Sequence, residues 1–253
     1  MSFKNLYVNG CSFTAGDNVE EGETWPENLA KLTNTVLHQD ARNGNSMETI
    51  FHVTLNNLIN FSPEDTLVII GQTWKERYSV PYKECLVNIT PADVGHNKQT
   101  FQEKLSTFRR ISSTIHKDKY SLSEISKSIF NQKSEYSNFN RVLKSYVDYY
   151  ESLIEYDTNL EYNQALFHFN YLYSLENFLI LNKYNYYFID FQGYFKDAPG
   201  GIGKYRKVEV FNKIDKSRII PMQWEDFKTA KNSTSHPTAE DCIEIANIIK
   251  QRL

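Results

Sequence analysis

The sequence has few cysteines and no excess of basic residues, and each shortage excludes a class of protein. Its three cysteines, Cys11, Cys85 and Cys242, lie far apart and form no Cys-x-x-Cys pair. This spacing argues against a disulfide framework and against a structural zinc site. The formal net charge is −3 and the isoelectric point is about 6.1, so no general positive field attracts nucleic acid or anionic lipid.

Long apolar segments are also missing. No run approaches the roughly 20 apolar residues that span a bilayer, and the N-terminal MSFKNLYVNG turns polar too early for a signal peptide. These features predict a cytoplasmic protein without a membrane span. The glycine-rich segment 200–204 departs from a phosphate-binding loop at two required positions, and the histidines other than His236 show no metal-ligand spacing. We therefore predict neither a cofactor nor a metal ion, and the oligomeric state stays open.

Short apolar runs alternate with helical patterns at both ends of the chain, which predicts a parallel α/β sheet with helices on both faces. The clearest strand, 66–70, is apolar throughout, as expected of a strand buried on both faces. Between about 80 and 182 the pattern changes, and residues 100–182 are mostly polar with helical stretches, notably 138–155 and 159–182, and no convincing strand. We predict one domain over 1–253 with a mostly helical insertion at about 80–182. The other predicted strands are 6–8, 35–38 and 186–189, and the other predicted helices are 25–33, 46–60 and 238–253.

Small and polar residues follow the predicted strands, where parallel α/β sheets bind their ligands. Ser12 follows the first strand, Gly44 the second and Thr73 the third, while His236 precedes the last helix. A serine becomes a nucleophile when an imidazole takes its proton and hydrogen-bond donors hold the oxyanion. We interpret Ser12 as the candidate nucleophile, His236 as the candidate base, and Gly44 and Thr73 as candidate oxyanion donors. Gln72 is an alternative to Thr73 as the side-chain donor. The alternatives are structural, since Ser12 could cap a helix and Gly44 could serve a turn.

Four segments, in this order, resemble the sequence blocks of the SGNH/GDSL hydrolase superfamily. Residues 10–16, Gly-Cys-Ser-Phe-Thr-Ala-Gly, resemble the block that carries the nucleophilic serine, and residues 44–46 resemble the block whose glycine donates to the oxyanion. Residues 70–73 resemble the third block, and residues 233–237 resemble the final Asp-x-x-His-Pro block. The resemblance covers roughly the first 80 and the last 70 residues. It implies a flavodoxin-like, three-layer α/β/α fold with a central parallel sheet.

The resemblance also implies a serine ester hydrolase that acts on a small acyl ester, such as an O-acetyl group on a carbohydrate. Three positions depart from the family pattern: Cys11 and Ser233 replace aspartates, and Thr73 stands where an asparagine would donate to the oxyanion. Losing one oxyanion donor typically costs on the order of 100-fold in turnover. Two alternatives therefore stay open: a catalytically impaired scaffold that binds a partner or has a structural role, and an acyltransferase. Ser233, Asn232 or an acid of the insertion could orient His236.

Overall fold

The computed structural model describes residues 3–17, 19–82, 85–89, 159–196, 205–222 and 236–253, together with Ser145 and Asp157. Its helices are α1 (Ser12–Ala15), α2 (Trp25–Thr33), α3 (Met47–Leu58), α4 (Leu160–Leu181), α5 (Glu209–Lys213) and α6 (Ala239–Lys250). Its strands are β1 (Asn5–Asn9), β2 (Val36–Gln39), β3 (Thr66–Gly71), β4 (Tyr78–Tyr82), β5 (Cys85–Ile89), β6 (Asn185–Asp190) and β7 (Ile219–Pro221). Short 3-10 turns lie at Pro63–Asp65 and Lys216–Arg218.

Five strands form one sheet in the order β2-β1-β3-β6-β7, and every neighbouring pair is parallel. The chain leaves β1 for β2 on one side and then crosses to β3 on the other side. The strand order therefore reverses between β1 and β3, as in flavodoxin-like folds, where ligands bind at the carboxyl ends of the strands beside that reversal. Ser12 follows β1 and Thr73 follows β3, so both sequence-predicted residues lie at this edge.

Alternate residues of the central strands face opposite helical layers, because side chains alternate along a strand. In β1, Leu6 and Val8 pack toward α2 and α6, whereas Tyr7 packs toward α3 and α4. The α2–α6 layer is mostly aliphatic around Trp25, and the α3–α4 layer is rich in aromatic rings around Phe169. The predicted three-layer α/β/α arrangement with a central parallel sheet is confirmed.

Capping interactions define where two helices of the α2–α6 layer begin. Thr24 and Glu27 form a reciprocal capping box at α2, and Pro26 occupies its first turn, where a missing N–H costs nothing. Thr238 and Asp241 form the same box at α6, with the Asp241 N–H donating to Thr238 Oγ1 at 3.3 Å. This box fixes the start of α6 directly after the loop that carries His236.

The segment predicted as an insertion differs in two respects. Helix α4 lies close to the predicted helix at 159–182, but Phe169 and Leu172 are fully buried against the sheet, so this helix belongs to the α3–α4 layer. Strands β4 and β5 form an antiparallel hairpin where the sequence predicted no strand. The predicted helix at 138–155 lies outside the described residues apart from Ser145. Within the described ranges, no helix combines the length and apolar character needed to cross a bilayer.

Candidate active site

Ser12 occupies the first turn of α1, directly beyond the carboxyl end of β1, and is 4% exposed. The helix is a single turn because Gly16 adopts the left-handed conformation, with φ of 78°, and donates its N–H to the Ser12 carbonyl at 3.0 Å. The Ser12 hydroxyl makes no hydrogen bond with any described residue. The sequence therefore places a nearly buried hydroxyl, without an internal partner in the described part of the chain, at the reversal of strand order.

Two glycines let α1 lie close against the ends of β1 and β3. A Cβ atom on Gly71 would stand 2.2 Å from Thr14 Oγ1, and one on Gly10 would stand 2.4 Å from the same atom. Thr14 is fully buried on the inner side of α1. Gly71 is therefore explained by close packing against Thr14, and a larger residue there would displace the helix that carries Ser12.

Asn45 is fully buried and joins the loops that follow β1, β2 and β3. Its Nδ2 donates to the Gly10 carbonyl at 3.0 Å, and its own carbonyl accepts from Thr73 Oγ1 at 2.8 Å. Its Oδ1 accepts from Asn88 Nδ2 at 3.3 Å. We call Gly10, Asn45, Thr73 and Asn88 the Asn45 hub. Because each of its side chains is satisfied inside the protein, the hub holds these loops in one arrangement.

Asn88 fastens the β4–β5 hairpin to the start of α3. Its Oδ1 accepts from Thr49 Oγ1 at 2.6 Å, from Ser79 Oγ at 2.8 Å and from the Ser46 N–H at 3.2 Å. Ser46 is also the N-cap of α3, and its hydroxyl contacts Ser79. The hairpin is therefore anchored by polar side chains beside the second sequence block.

Cys11 occupies the position of the family aspartate in the first block. Cys11 is fully buried, and its thiol donates to the Gln72 carbonyl at a distance of 3.9 Å between sulfur and oxygen. A thiol is a weak donor, but this contact still joins the loops after β1 and β3. Cys11 therefore takes a structural position between the first and third blocks.

The Thr73 hydroxyl is fully used within the loop. It donates to the Asn45 carbonyl, which can only accept, and it accepts from Arg77 Nη1 at 3.0 Å. Its one proton therefore points at Asn45 in this conformation, and its role as an oxyanion donor stays a prediction. Gly44 is half-buried with φ of 79°, and neither its N–H nor that of Ser12 bonds to a described residue. These two backbone groups can still serve as donors.

His236 lies against the serine loop although it comes from the far end of the chain. Its ring centroid is 5.4 Å from that of Phe13, the residue after Ser12, and its Nε2 is 3.9 Å from Asp17 Oδ2. Burial lowers the pKa of His236, Asp17 opposes this by raising it, and Arg77 lowers it further. A lowered pKa keeps the imidazole neutral at neutral pH, which is the form that accepts a proton.

The carboxylate beside His236 is one that the sequence did not single out. Ser233, the predicted candidate for orienting His236, lies outside the described residues. Asp17 follows Gly16 at the end of α1, and it accepts a hydrogen bond from Asn43 Nδ2. Position 17 lies outside the four sequence blocks, so the resemblance offered no signal for it. Among the described residues, no group of three His, Cys, Asp or Glu side chains could hold a metal ion.

Comparison with known proteins identifies the fold. No protein-family model matches the sequence, and no curated protein matches it. Among solved structures, the lipase Lip_vut3 from a goat rumen metagenome superposes with a TM-score of 0.52 at 10% identity, over 98% of this chain and 97% of that chain. TesA gives 0.50 at 10% identity over 99% and 98% of the two chains. A protein described as lipolytic and of the G-D-S-L family, from Desulfitobacterium hafniense DCB-2, gives 0.50 at 9% identity over 99% of each chain.

These likenesses span nearly the full length of both chains, so they concern the whole domain. The chain has an SGNH/GDSL hydrolase-like fold, as the four sequence blocks predicted. At this level of identity the comparison establishes the fold, and the chemistry has to be argued from the residues at the edge of the sheet.

Proposed function

We propose that this protein is a serine ester hydrolase in which Ser12 is the nucleophile and His236 is the general base. The observation that carries the proposal is the contact between the ring of His236 and Phe13, which brings an imidazole of lowered pKa to the loop of a nearly buried serine. A serine needs such a base because its own hydroxyl is a weak nucleophile at neutral pH.

The proposed acylation step moves one proton and one acyl group. As Ser12 Oγ attacks the ester carbonyl, its proton passes to a ring nitrogen of His236, and the carbonyl electrons move onto oxygen. The resulting oxyanion is held by the backbone N–H groups of Ser12 and Gly44. Thr73, the third donor predicted from the sequence, gives its proton to the Asn45 carbonyl in this conformation. Collapse of this intermediate breaks the ester C–O bond, and His236 returns the proton to the departing alkoxide.

Deacylation repeats the same steps with water. His236 takes a proton from the water as its oxygen attacks the acyl-serine carbonyl, and the tetrahedral intermediate forms in the same oxyanion site. Its collapse breaks the bond to Ser12 Oγ, which takes the proton back from His236. The products are a carboxylic acid and an alcohol, and the enzyme returns to its starting state.

The proposed substrates are small acyl esters, including O-acetyl groups on carbohydrates. Support for an ester comes from the sequence blocks and from the similar structures, which include a lipase and a protein described as lipolytic. Support for a small acyl group comes from the family resemblance. No cofactor enters the proposed reaction, because every proton moves between Ser12, His236, water and the ester.

A panel of p-nitrophenyl esters tests this proposal. Acetyl, butyryl and octanoyl esters should be compared with wild type, Ser12→Ala and His236→Ala, and acetylated xylan should be assayed by acetate release. We expect hydrolysis of the acetyl ester by wild type and its loss in both variants. Hydrolysis that persists in Ser12→Ala would overturn the assignment of the nucleophile.

A second candidate is a binding or structural protein on an SGNH-like scaffold. It is favoured by the Thr73 hydroxyl, whose proton is donated to Asn45 instead of pointing into the site. This candidate predicts a folded protein that hydrolyses no ester in the panel. An acyltransferase, the other alternative, would form the same acyl-serine and pass it to an acceptor other than water. Turnover that depends on an added alcohol or sugar acceptor would distinguish it.

A further inference from the structure

The resemblance implies an acid for His236 that this sequence does not have at the expected position. Where the family pattern has an aspartate three residues before the histidine, this sequence has Ser233. An uncharged partner stabilises the imidazolium that forms when the histidine accepts the serine proton less than a charged one does. A carboxylate close to the ring would do so, because opposite charges at short distance favour the charged form.

Asp17 is placed to supply this carboxylate. Its Oδ2 lies 3.9 Å from His236 Nε2, and both side chains are partly shielded from water, with exposed fractions of 29% and 23% respectively. At this distance the interaction is one of charge, because it exceeds the usual hydrogen-bond length. In this conformation Asp17 is already close enough to act as the counter-ion of an imidazolium at position 236.

The loop around Asp17 holds the carboxylate in place. Gly16 ends α1 in the left-handed conformation, which turns the chain so that Asp17 follows directly after the serine helix. Asn43 Nδ2 donates to Asp17 Oδ1, leaving Oδ2 on the side of His236. Asn43 precedes Gly44, so the same loop contributes a candidate oxyanion donor and a group that orients the acid.

We propose that Asp17 is a positioning residue that supplies the negative charge for His236, in place of the acid missing at position 233. The catalytic part of this inference rests on the proposed hydrolase function, whereas the pairing itself does not. The effect of Asp17 on the pKa of His236 has the sign that this pairing requires. Asp17 raises that pKa, although burial lowers it by more. Two charged groups of the described residues act on the ring: Asp17, after α1, and Arg77, after β3, which lowers the pKa.

The pairing can be measured without any substrate. Ring C–H signals of His236 are followed by NMR as the pH is varied, in the full chain as wild type, Asp17→Asn, Asp17→Ser and Asp65→Asn. Removing the charge at position 17 should lower the pKa of His236 in both Asp17 variants. Asp65 is paired with Lys4 at the opposite edge of the sheet, so its variant should leave the titration unchanged. An unchanged His236 titration in a folded Asp17 variant would overturn the proposal.

Kinetics then test the consequence for catalysis. In the pH profile of kcat/KM, the limb that reports deprotonation of the base should move to lower pH in Asp17→Asn. The plateau value of kcat/KM should fall roughly tenfold or more. Asp17→Glu, which keeps the charge, should restore the position of the limb. A lower plateau with an unmoved limb would mean that Asp17 only supports the loop, and would contradict the proposal.

The two measurements separate this inference from the proposed function. If the His236 titration responds to Asp17 but no ester is hydrolysed, the pairing is upheld and the hydrolase proposal fails. If esters are hydrolysed through Ser12 but neither the titration nor the limb responds to Asp17, the hydrolase proposal is upheld and this inference fails.

Discussion

The Asn45 hub and the proposed reactive pair, Ser12 and His236, lie at the same edge of the sheet but differ in their surroundings. The hub is buried, and its side chains find hydrogen-bond partners within the protein. In the described part of the chain the Ser12 hydroxyl bonds to nothing, and His236 faces Asp17 from beyond hydrogen-bond distance. Substitutions in the hub should therefore mainly lower the stability, and substitutions in the pair should mainly lower the rate of ester hydrolysis.

The largest expected effect is on chemistry alone. Ser12→Ala should lower kcat/KM by roughly 10⁴-fold or more, because the nucleophile is lost, while the free energy of unfolding stays within about 0.5 kcal/mol. Ester hydrolysis and urea unfolding measure the two quantities. Ser217→Ala, at an exposed serine far from the site, should leave the hydrolysis unchanged. A loss of several kcal/mol in Ser12→Ala would mean that Ser12 supports the fold, and the distinction between the two groups would fail.

A pH-dependent effect is expected behind the hub, at His168 of α4. Burial, reinforced by Lys75, lowers the pKa of His168 to about 3, and its Nε2 lies 3.4 Å from Gln72 Oε1. Since the unfolded chain binds this proton near pH 6.5 and the folded chain does not, His168 stabilises the fold above that pH. This contribution is lost as the pH falls toward about 3.

His168→Gln removes this titration. The advantage of wild type over the variant in unfolding free energy should shrink by roughly 3 kcal/mol between about pH 6.5 and about pH 4. The difference between wild type and His168→Gln is measured because Asp190 titrates in the same pH range. Burial raises the pKa of Asp190 to about 6, which makes the protein more stable as the pH falls from about 6 to 3.8. A curve for His168→Gln that runs parallel to wild type would contradict the neutral, buried state of His168.

The next effect tests the hub itself. Asn45→Ala leaves the buried Asn88 amide without one acceptor and the Gly10 carbonyl without one donor, so it should cost roughly 2 to 3 kcal/mol of unfolding free energy. Activity should fall as well, because the loops on both sides of Ser12 lose their link. Asn60→Ala, at an exposed asparagine, should change stability by less than about 0.5 kcal/mol. Loss of activity at unchanged stability would place Asn45 with the reactive pair instead.

The smallest effect sharpens the assignment of Thr73. Thr73→Val keeps the shape but removes the hydroxyl that donates to Asn45, so we expect a loss of about 1 kcal/mol in unfolding free energy and less than about tenfold in kcat. A true oxyanion donor behaves differently, since its removal costs on the order of 100-fold in kcat. Urea unfolding and ester kinetics on the same variant distinguish the two roles.

The sequence predicted the parts of the fold that have a local physical cause. β3 is apolar throughout because it is buried on both faces, and the start of α6 follows from a capping pair three residues apart. Ser12 and His236 were predicted as site residues because each lies next to a strand or helix boundary within a family-like block, and their roles stay a prediction. The wider fold class followed from the alternation of such elements.

Features formed by contacts between distant loops were not predicted. Asn45 was part of a quoted block, but its bonds to Gly10 and Asn88 join segments without a shared periodicity. Asp17 faces His236 only after the whole sheet has formed, so no local pattern marks it. The β4–β5 hairpin is held by polar side chains around Asn88. A pattern of alternating apolar residues therefore did not predict its strands.

The central claim, that Ser12 is activated by His236, is tested most directly by labelling with a fluorophosphonate. The intact protein is incubated with the probe near neutral pH, its mass is measured, and the labelled peptide is mapped in wild type, Ser12→Ala and His236→Ala. We predict one added phosphonyl group on Ser12 of wild type and none in either variant. A folded wild type that stays unlabelled, or a label that persists in Ser12→Ala, would contradict the account.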